Sequence, residues 1–406
     1  MTRSGRGQKR DLRSGRPLWL AKGDPDVGAG RLDASQTADV VIVGGGVSGA
    51  LVADALLRSG LTVLAIDRRG FVKGSTPAST ALVQFEIDQP LTMLSEAIGE
   101  AKAARAYWRS ASAVDYLRGR IADLELRCGF RERQTVYLPG NLLDEKALAA
   151  EATARMRIGL RSRFAGAGET RALTTIDAPC SIVSAGCAEL DPAQFVAGLW
   201  RSAVRRGARL FAPVEATEVE ESRSGVTIAT KDGPELSGRF AVFATGYELM
   251  PFVPADKHAI KSTWAIATAP QPDRIWPGRA LIWEAAEPYL YMRSTMDGRI
   301  VAGGEDEDFS DDDRREAATA RKAKVIAKKL AAYLPDVDVE PEAVWSGCFG
   351  ESDTDLPTIG RPPGMKRSFA VLGYGGNGIT FSAVAAELIQ RVVIGLEDPD
   401  ADLFAF

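Results

Sequence analysis

Residues 40–49 read VVIVGGGVSG, and that run leaves the chain few architectures to choose from. Val40, Val41, Ile42 and Val43 are the β-branched residues of a buried strand. Gly44, Gly46 and Gly49 then take the spacing G-x-G-x-x-G, where a helix is expected to begin. A second apolar strand over residues 61–66 ends in an acid, Asp67. Strand, glycine turn, helix, strand and acid in this order form the dinucleotide-binding fingerprint. Gly44 permits the tight turn, Gly46 lets a pyrophosphate reach the backbone, and Gly49 lets helix and strand pack closely. The pyrophosphate is expected on the unpaired N–H groups at the positive helix end, by Val47 and Ser48. Asp67, with Arg68 beside it, is placed to accept hydrogen bonds from the adenosine ribose.

A chain of 406 residues exceeds one ordinary domain, so two are expected. With 45% hydrophobic and 26% charged residues it reads as a globular enzyme. A net charge of −4 argues against nucleic acid as a partner. No apolar run approaches the roughly 20 residues that span a bilayer, and a cytoplasmic location is expected. Arg3, Arg6, Lys9, Arg10, Arg13 and Arg16 precede no apolar segment, which reads as a solvated basic tail and not a secretory signal, with one anchored turn expected at Pro17-Leu18-Trp19-Leu20. Four cysteines without a C-x-x-C pair and a single histidine, His258, exclude a zinc site or a Ser-His-Asp triad. No metal is expected, so a cofactor must supply the chemistry.

Helical patterns cover residues 91–128, 144–160, 192–207, 314–333 and 379–394, with Asp144 and Asp191 as caps. Short strands are expected at 209–211, 216–220, 226–230, 240–244 and 369–372. Residues 289–304 read as a hairpin turning at Asp297-Gly298. The acidic run 305–313 reads as a loop and helix start favoured by the helix dipole. A second glycine turn, Gly373-Tyr374-Gly375-Gly376-Asn377-Gly378, immediately precedes the last helix.

The fingerprint alone does not separate NAD from FAD. With the strand end Ala244-Thr245-Gly246 and the late glycine turn, the chain resembles the D-amino-acid-oxidase superfamily of FAD-dependent oxidoreductases. The resemblance covers most of residues 38–395. It rests on residues 38–46, Gly74-Ser75-Thr76 with Ser79-Thr80-Ala81, Leu190-Asp191-Pro192, residues 297–304, residues 356–361 and residues 373–380. It implies an α/β fold: a Rossmann-type FAD-binding domain interrupted by a substrate domain with an antiparallel β-sheet. The expected division is an extension over 1–38, an FAD-binding domain over 39–90, 176–254 and 346–406, and a substrate domain over 91–175 and 255–345.

The resemblance also implies FAD contacts from Gly74, Ser75, Thr76, Ser79, Thr80 and Ala81. Further contacts are implied from Val214, Thr245 and Gly246, and from Gly375, Gly376, Asn377, Gly378, Ile379 and Thr380. It implies hydride transfer to the flavin from the carbon beside an amine, the substrate being a small amine or amino-acid-like molecule. The electron acceptor, oxygen or another, is not legible. A helix start at Gly378 would stabilise negative charge on the flavin's pyrimidine side.

The chain departs from that family in two places. Phe349 stands where amino-acid oxidases carry an arginine for the substrate carboxylate, leaving Arg293 or Arg361 as substitutes. Cys348 lies one position away from the cysteine that attaches flavin covalently in sarcosine oxidases, so it reads as a small buried residue and the flavin as non-covalent. Tyr289, Tyr291 and Arg293 share one strand face. If it lines the flavin cavity they form a catalytic and substrate wall; if not, they pack or meet solvent. Trp264, Trp283 and Trp345 read as core, and His258 as a surface or hinge residue. Two other readings stay open: an FAD-dependent 2-hydroxy-acid or polyol dehydrogenase, and a non-catalytic FAD-binding subunit.

Overall fold

The computed structural model describes residues 2–4, 11–21, 23–254, 256 and 258–406. Among them the strands form two sheets. In the first, Gln36–Val43 lies parallel between Val63–Ile66 and Glu235–Phe243. Arg209–Phe211 extends it beyond Val63–Ile66, and Ser368–Leu372 joins the far end of Glu235–Phe243, both parallel. An antiparallel meander, Ala216–Glu221 and Val226–Thr230, completes that edge.

Alternation along Gln36–Val43 divides the packing. Val40 and Ile42 meet the helices Val47–Arg58, Pro192–Arg205 and Gly378–Val393, whereas Val41 and Val43 meet the meander and Phe252. Both faces are covered, which is why this strand reads as continuously apolar.

The second sheet is mostly antiparallel. It runs in the order Arg13–Gly15, Pro341–Ser352, His258–Thr268, Ile300–Glu307, Leu290–Ser294, Leu281–Glu284, Arg131–Leu138, Cys180–Glu189 and Leu82–Val83. The amphipathic helix Asp312–Tyr333 supplies Ile326 and Leu330 to one face, where Leu290, Met292, Ile300 and Ala302 are buried. The other face carries Tyr291 and Trp283.

Several sequence expectations change. The helical stretch from 91 is broken at Gly99, whose φ of 90° is outside helical geometry, into Leu91–Ile98 and Glu100–Asp123. Part of the N-terminal extension is not a solvated tail. Arg13–Gly15 pairs with residues 345–347 and Leu12 is buried, while the turn at Leu18–Leu20 is anchored as expected, the Trp19 indole donating to Ser79 O at 2.7 Å. Arg6, Lys9 and Arg10 lie outside the described residues. The strand Cys180–Glu189, expected in the nucleotide segment, belongs to the second sheet, and Pro341–Ser352 spans the boundary drawn at 346. The acidic run continues the strand to Glu307 before Asp311 caps the helix, and Lys322 and Lys329 meet Glu305 and Glu307. No helix among the described residues is long and apolar enough to cross a membrane.

Candidate active site

One long cleft runs between the glycine turns of the first sheet and the aromatic face of the second. It starts at Gly44, whose φ of 123° suits glycine and where a Cβ would overlap the Ala244 carbonyl. At Gly49 a Cβ would overlap the Gly44 carbonyl oxygen, so this residue serves helix–strand packing and does not line the cleft. Gly46 has ordinary extended backbone, and its missing side chain leaves open space beside Thr76 Oγ1, 3.2 Å from an ideal Cβ. Thr76 Oγ1 accepts the Val47 N–H at 3.1 Å, and among the described residues the next helical N–H groups, at Ser48 and Gly49, remain orphan donors. The Ser48 hydroxyl is held by Tyr374 Oη at 2.9 Å and Ser382 Oγ at 2.8 Å.

Asp67 closes the turn from below. Its Oδ2 accepts the Gly45 N–H at 2.7 Å, and Oδ1 accepts Arg69 N–H at 2.7 Å and Gly70 N–H at 2.9 Å. Burial raises its pKa while the three backbone donors oppose that. Oδ2 still has a free lone pair for a ribose hydroxyl. Arg68 and Arg69 are both committed to Glu248, Arg68 Nη2 at 2.6 Å from Oε1. This pair of arginines on one acid fixes the loop at that end, and Arg69 and Glu248 carry no local signature in the sequence.

At the other end, Asn377 precedes the helix Gly378–Val393 without a side-chain cap, which among the described residues leaves the N–H groups of Gly378 and Ile379 as orphans at the cleft. Thr380 does not line the cleft, because its hydroxyl donates to Gln84 O at 2.9 Å. The other expected cofactor residues, from Gly74 to Ala81, with Val214, Thr245 and Gly246, all line it. Two orphaned helix starts, a glycine cradle and an acid at the ribose position fit an extended dinucleotide.

The hairpin register follows the expected alternation. Tyr289 and Tyr291 line the cleft with ring centroids 5.7 Å apart, and Leu290 and Met292 are buried on the opposite face. Arg293 corrects the expectation. It is 2% exposed, does not line the cleft, and its Nε and Nη2 donate to Thr80 O at 2.6 Å and Leu190 O at 2.8 Å. Glu189 lies 3.5 Å from its Nη1 and the Trp19 ring lies 4.8 Å from its Cζ. The guanidinium ties its strand to the loop at Thr80 and to the strand end at Glu189 and Leu190, and is not available to a substrate. Arg361 stacks on Phe369 instead, 5.1 Å from the ring centroid, and does not line the cleft. Trp283, expected in the core, lines the cleft while stacking on Tyr137 at 3.8 Å. Trp264 and Trp345 are core residues.

Phe349 and Cys348 also line the cleft, with Cys348 buried. His258 does not; its Nε2 meets Thr358 Oγ1 at 2.9 Å and its ring packs on Gly373. Sequence reasoning missed Gln84 and Asp88, both on the wall, because residues 84–88 acquire their position from the distant turn at 376–380.

The chain is similar to proteins of known family over almost its whole length. The family described as FAD dependent oxidoreductase matches residues 39–391. A probable oxidoreductase, OrdL, of Rhizobium meliloti is 25% identical over 384 residues, covering 90% of this chain and 85% of that one. The structure resembles glycine oxidase from Geobacillus kaustophilus, with a TM-score of 0.73, 19% identity and coverage of 89% of this chain and 96% of that chain. It also resembles L-proline dehydrogenase from P. horikoshii, with a TM-score of 0.75, 15% identity and coverage of 91% and 97%. The glycine cradle, the two helix starts and a family match spanning both sheets lead to one conclusion: the chain belongs to the FAD-dependent oxidoreductases of the D-amino-acid-oxidase family.

Proposed function

We propose that this chain oxidises the C–N bond of an amine or amino-acid derivative by hydride transfer to FAD. The observation that carries the reading is that one cleft is bounded both by the helix start at Gly378 and by the aromatic face of Tyr289 and Tyr291. Bound FAD would supply the acceptor for the hydride on the carbon beside the nitrogen, and water would hydrolyse the imine product.

The chain's own residues hold and shield that reaction. The Gly378 and Ile379 N–H groups, at the positive end of a 16-residue helix, offer preorganised stabilisation to negative charge. Burial raises the phenol pKa of Tyr289 and Tyr291, so both stay protonated and serve as hydrogen-bonding walls, not as bases. Trp283 and Phe349 add apolar surface that excludes water from the same space. The only histidine lies outside the cleft, which suits a hydride donor that is a neutral, well-positioned amine.

The test is an anaerobic screen of amines, N-methyl amino acids and 2-hydroxy acids against the purified holoprotein, following oxidised-flavin absorbance with an assay for ammonia or formaldehyde. Bleaching by an amine with release of either product is the expected result. Bleaching by 2-hydroxy acids alone would replace the reading with a hydroxy-acid dehydrogenase. A flavin that no compound reduces would point to a non-catalytic subunit.

A further inference from the structure

Residues 84–88 run alongside the start of the last helix. Gln84 O accepts the Thr380 hydroxyl, Glu86 O accepts Asn377 Nδ2 at 2.5 Å, and Asp88 Oδ2 accepts the Gly376 N–H at 2.6 Å. Among the described residues no donor is placed on Asp88 Oδ1, and Asp88 lines the cleft. On the same wall Gln84 is 6% exposed, and among the described residues its amide oxygen has no hydrogen-bond partner.

Among the described residues, charge at this end is one-sided. Asp306, Glu351 and Asp355 stand close enough to Asp88 to act on its titration or have theirs changed by it. Among the described residues the one cation acting on Asp88 is Lys261, and its ammonium is already taken by Glu351 at 2.6 Å and Asp308 at 3.4 Å. The guanidinium groups near the cleft are committed elsewhere, Arg68 and Arg69 to Glu248 and Arg293 to backbone carbonyls. An ammonium between aromatic faces and a carboxylate is favoured, whereas a substrate carboxylate would meet like charge and, among the described residues, no free guanidinium.

We propose that the substrate end of the cleft recognises a cation: an amine that carries a second positive charge and no carboxylate beside the oxidised carbon, the second charge being held by Asp88. The proposal rests on the amine-oxidation reading above and narrows it to amines that carry a second, cationic nitrogen, the oxidised nitrogen reacting as the neutral amine. Gln84 Oε1 supplies a neutral acceptor on the same wall, and Trp283 and Tyr289 supply the aromatic surface. Burial raises the Asp88 carboxyl to about 6, which leaves it ionised at neutral pH, and a bound cation reinforces that state.

Two measurements on the FAD-loaded protein test this. In the first, 1,4-diaminobutane, n-pentylamine and 4-aminobutanoate are compared as anaerobic reductants of the flavin. The diamine is expected to exceed the monoamine in efficiency by about tenfold or more, with the zwitterion poorest, and Asp88→Asn should bring the diamine-to-monoamine ratio toward one. Asp88→Glu, which keeps the charge, should retain part of the preference. In the second, binding of 1,6-bis(trimethylammonio)hexane, which has no oxidisable N–H, is measured by calorimetry on wild type and Asp88→Asn. Binding that Asp88→Asn weakens supports cation recognition even if no amine reduces the flavin, in which case only the oxidation reading fails. Equal efficiency for all three reductants, a preference for 4-aminobutanoate, or dication binding indifferent to Asp88→Asn at unchanged FAD content would overturn the proposal.

Discussion

The ring of Tyr291 lies across Gly303, its cross-strand partner, so closely that a Cβ at Gly303 would overlap the Tyr291 ring and hydroxyl. The glycine is what lets the tyrosine lie flat along the sheet as part of the cleft wall. Gly303→Ala should therefore act as a mutation of the site. It is expected to change KM or kcat several-fold while FAD content and the melting temperature change little, as Tyr291→Phe should also do. Steady-state kinetics beside a flavin-to-protein absorbance ratio check this, and unchanged kinetics in both variants would place Tyr291 away from the substrate.

Gly46→Val tests the cofactor cradle. Gly46 has backbone that any residue can adopt, so the variant is not strained at φ. Its side chain fills the space beside Thr76 Oγ1 that the pyrophosphate would use. The purified variant should lack FAD and melt at a lower temperature, because a ligand bound only by the folded state stabilises it by mass action. Gly44→Val is the poorer probe, since it overlaps the Ala244 carbonyl and strains a φ of 123°. A folded Gly46→Val protein with full FAD content would remove this turn from the binding site.

Arg293→Met should be a stability mutation. The guanidinium is buried among Thr80 O, Leu190 O and Glu189, and removing one member leaves the others desolvated and unpaired. Breaking a buried pair of this kind costs on the order of 3–5 kcal/mol. Denaturant unfolding of the holoprotein is the measurement. A stability loss under about 1 kcal/mol with a large rise in KM would return Arg293 to the substrate.

The fingerprint was legible because its order is dictated locally: β-branched strand, glycines, helix and acid follow one another in 28 residues from Val40 to Asp67. The Asp191-Pro192 helix start was legible for the same reason, and Asp191 Oδ1 does accept Ala193 and Gln194 N–H groups. The hairpin pattern also gave the correct facing of Tyr289 and Tyr291. Arg293 was misread because period-two alternation fixes a side, not a depth along it, and only Trp19, Thr80 and Leu190 reveal where its guanidinium goes. Pro341–Ser352 was missed because PEAVWSGCFGES interrupts alternation with glycine and polar residues. Asp88 and Trp283 were missed because tertiary pairing, not neighbouring sequence, brings them to the cleft.

The acidic end of the cleft gives a stability profile with a definite sign. Burial raises Asp88 and Asp306 to about 6 and Asp355 to about 8, from unfolded values near 4. The folded state then holds more protons than the unfolded state between about pH 4 and 8, so this contribution is fully present below that range and is lost as pH rises through it. Because the three carboxyls interact, the titration belongs to the cluster. Asp39, Glu151 and Glu307 are shifted downward and act with the opposite sign below that window. The melting temperature should fall from pH 5 to pH 8, and Asp306→Asn should flatten the fall. A wild-type profile that rises across this range would contradict the burial of these groups as charged neighbours.

Leu290→Ala separates the two faces of the same strand. Leu290 is fully buried against the helix Asp312–Tyr333, in the cluster with Met292, Ile300 and Leu330. Truncation leaves a cavity in a sheet-on-helix layer that cannot collapse easily, and such losses run to about 2–5 kcal/mol. Since Leu290 points away from the cleft, FAD content and KM should remain near wild type in the protein that stays folded. Tyr291→Phe should give the inverse pair of results, an altered KM or kcat with little loss of stability. Urea unfolding and kinetics on both variants decide the matter. Were Leu290→Ala to alter KM while Tyr291→Phe lost stability alone, the strand would sit one residue out of register, and every side chain on it would exchange faces.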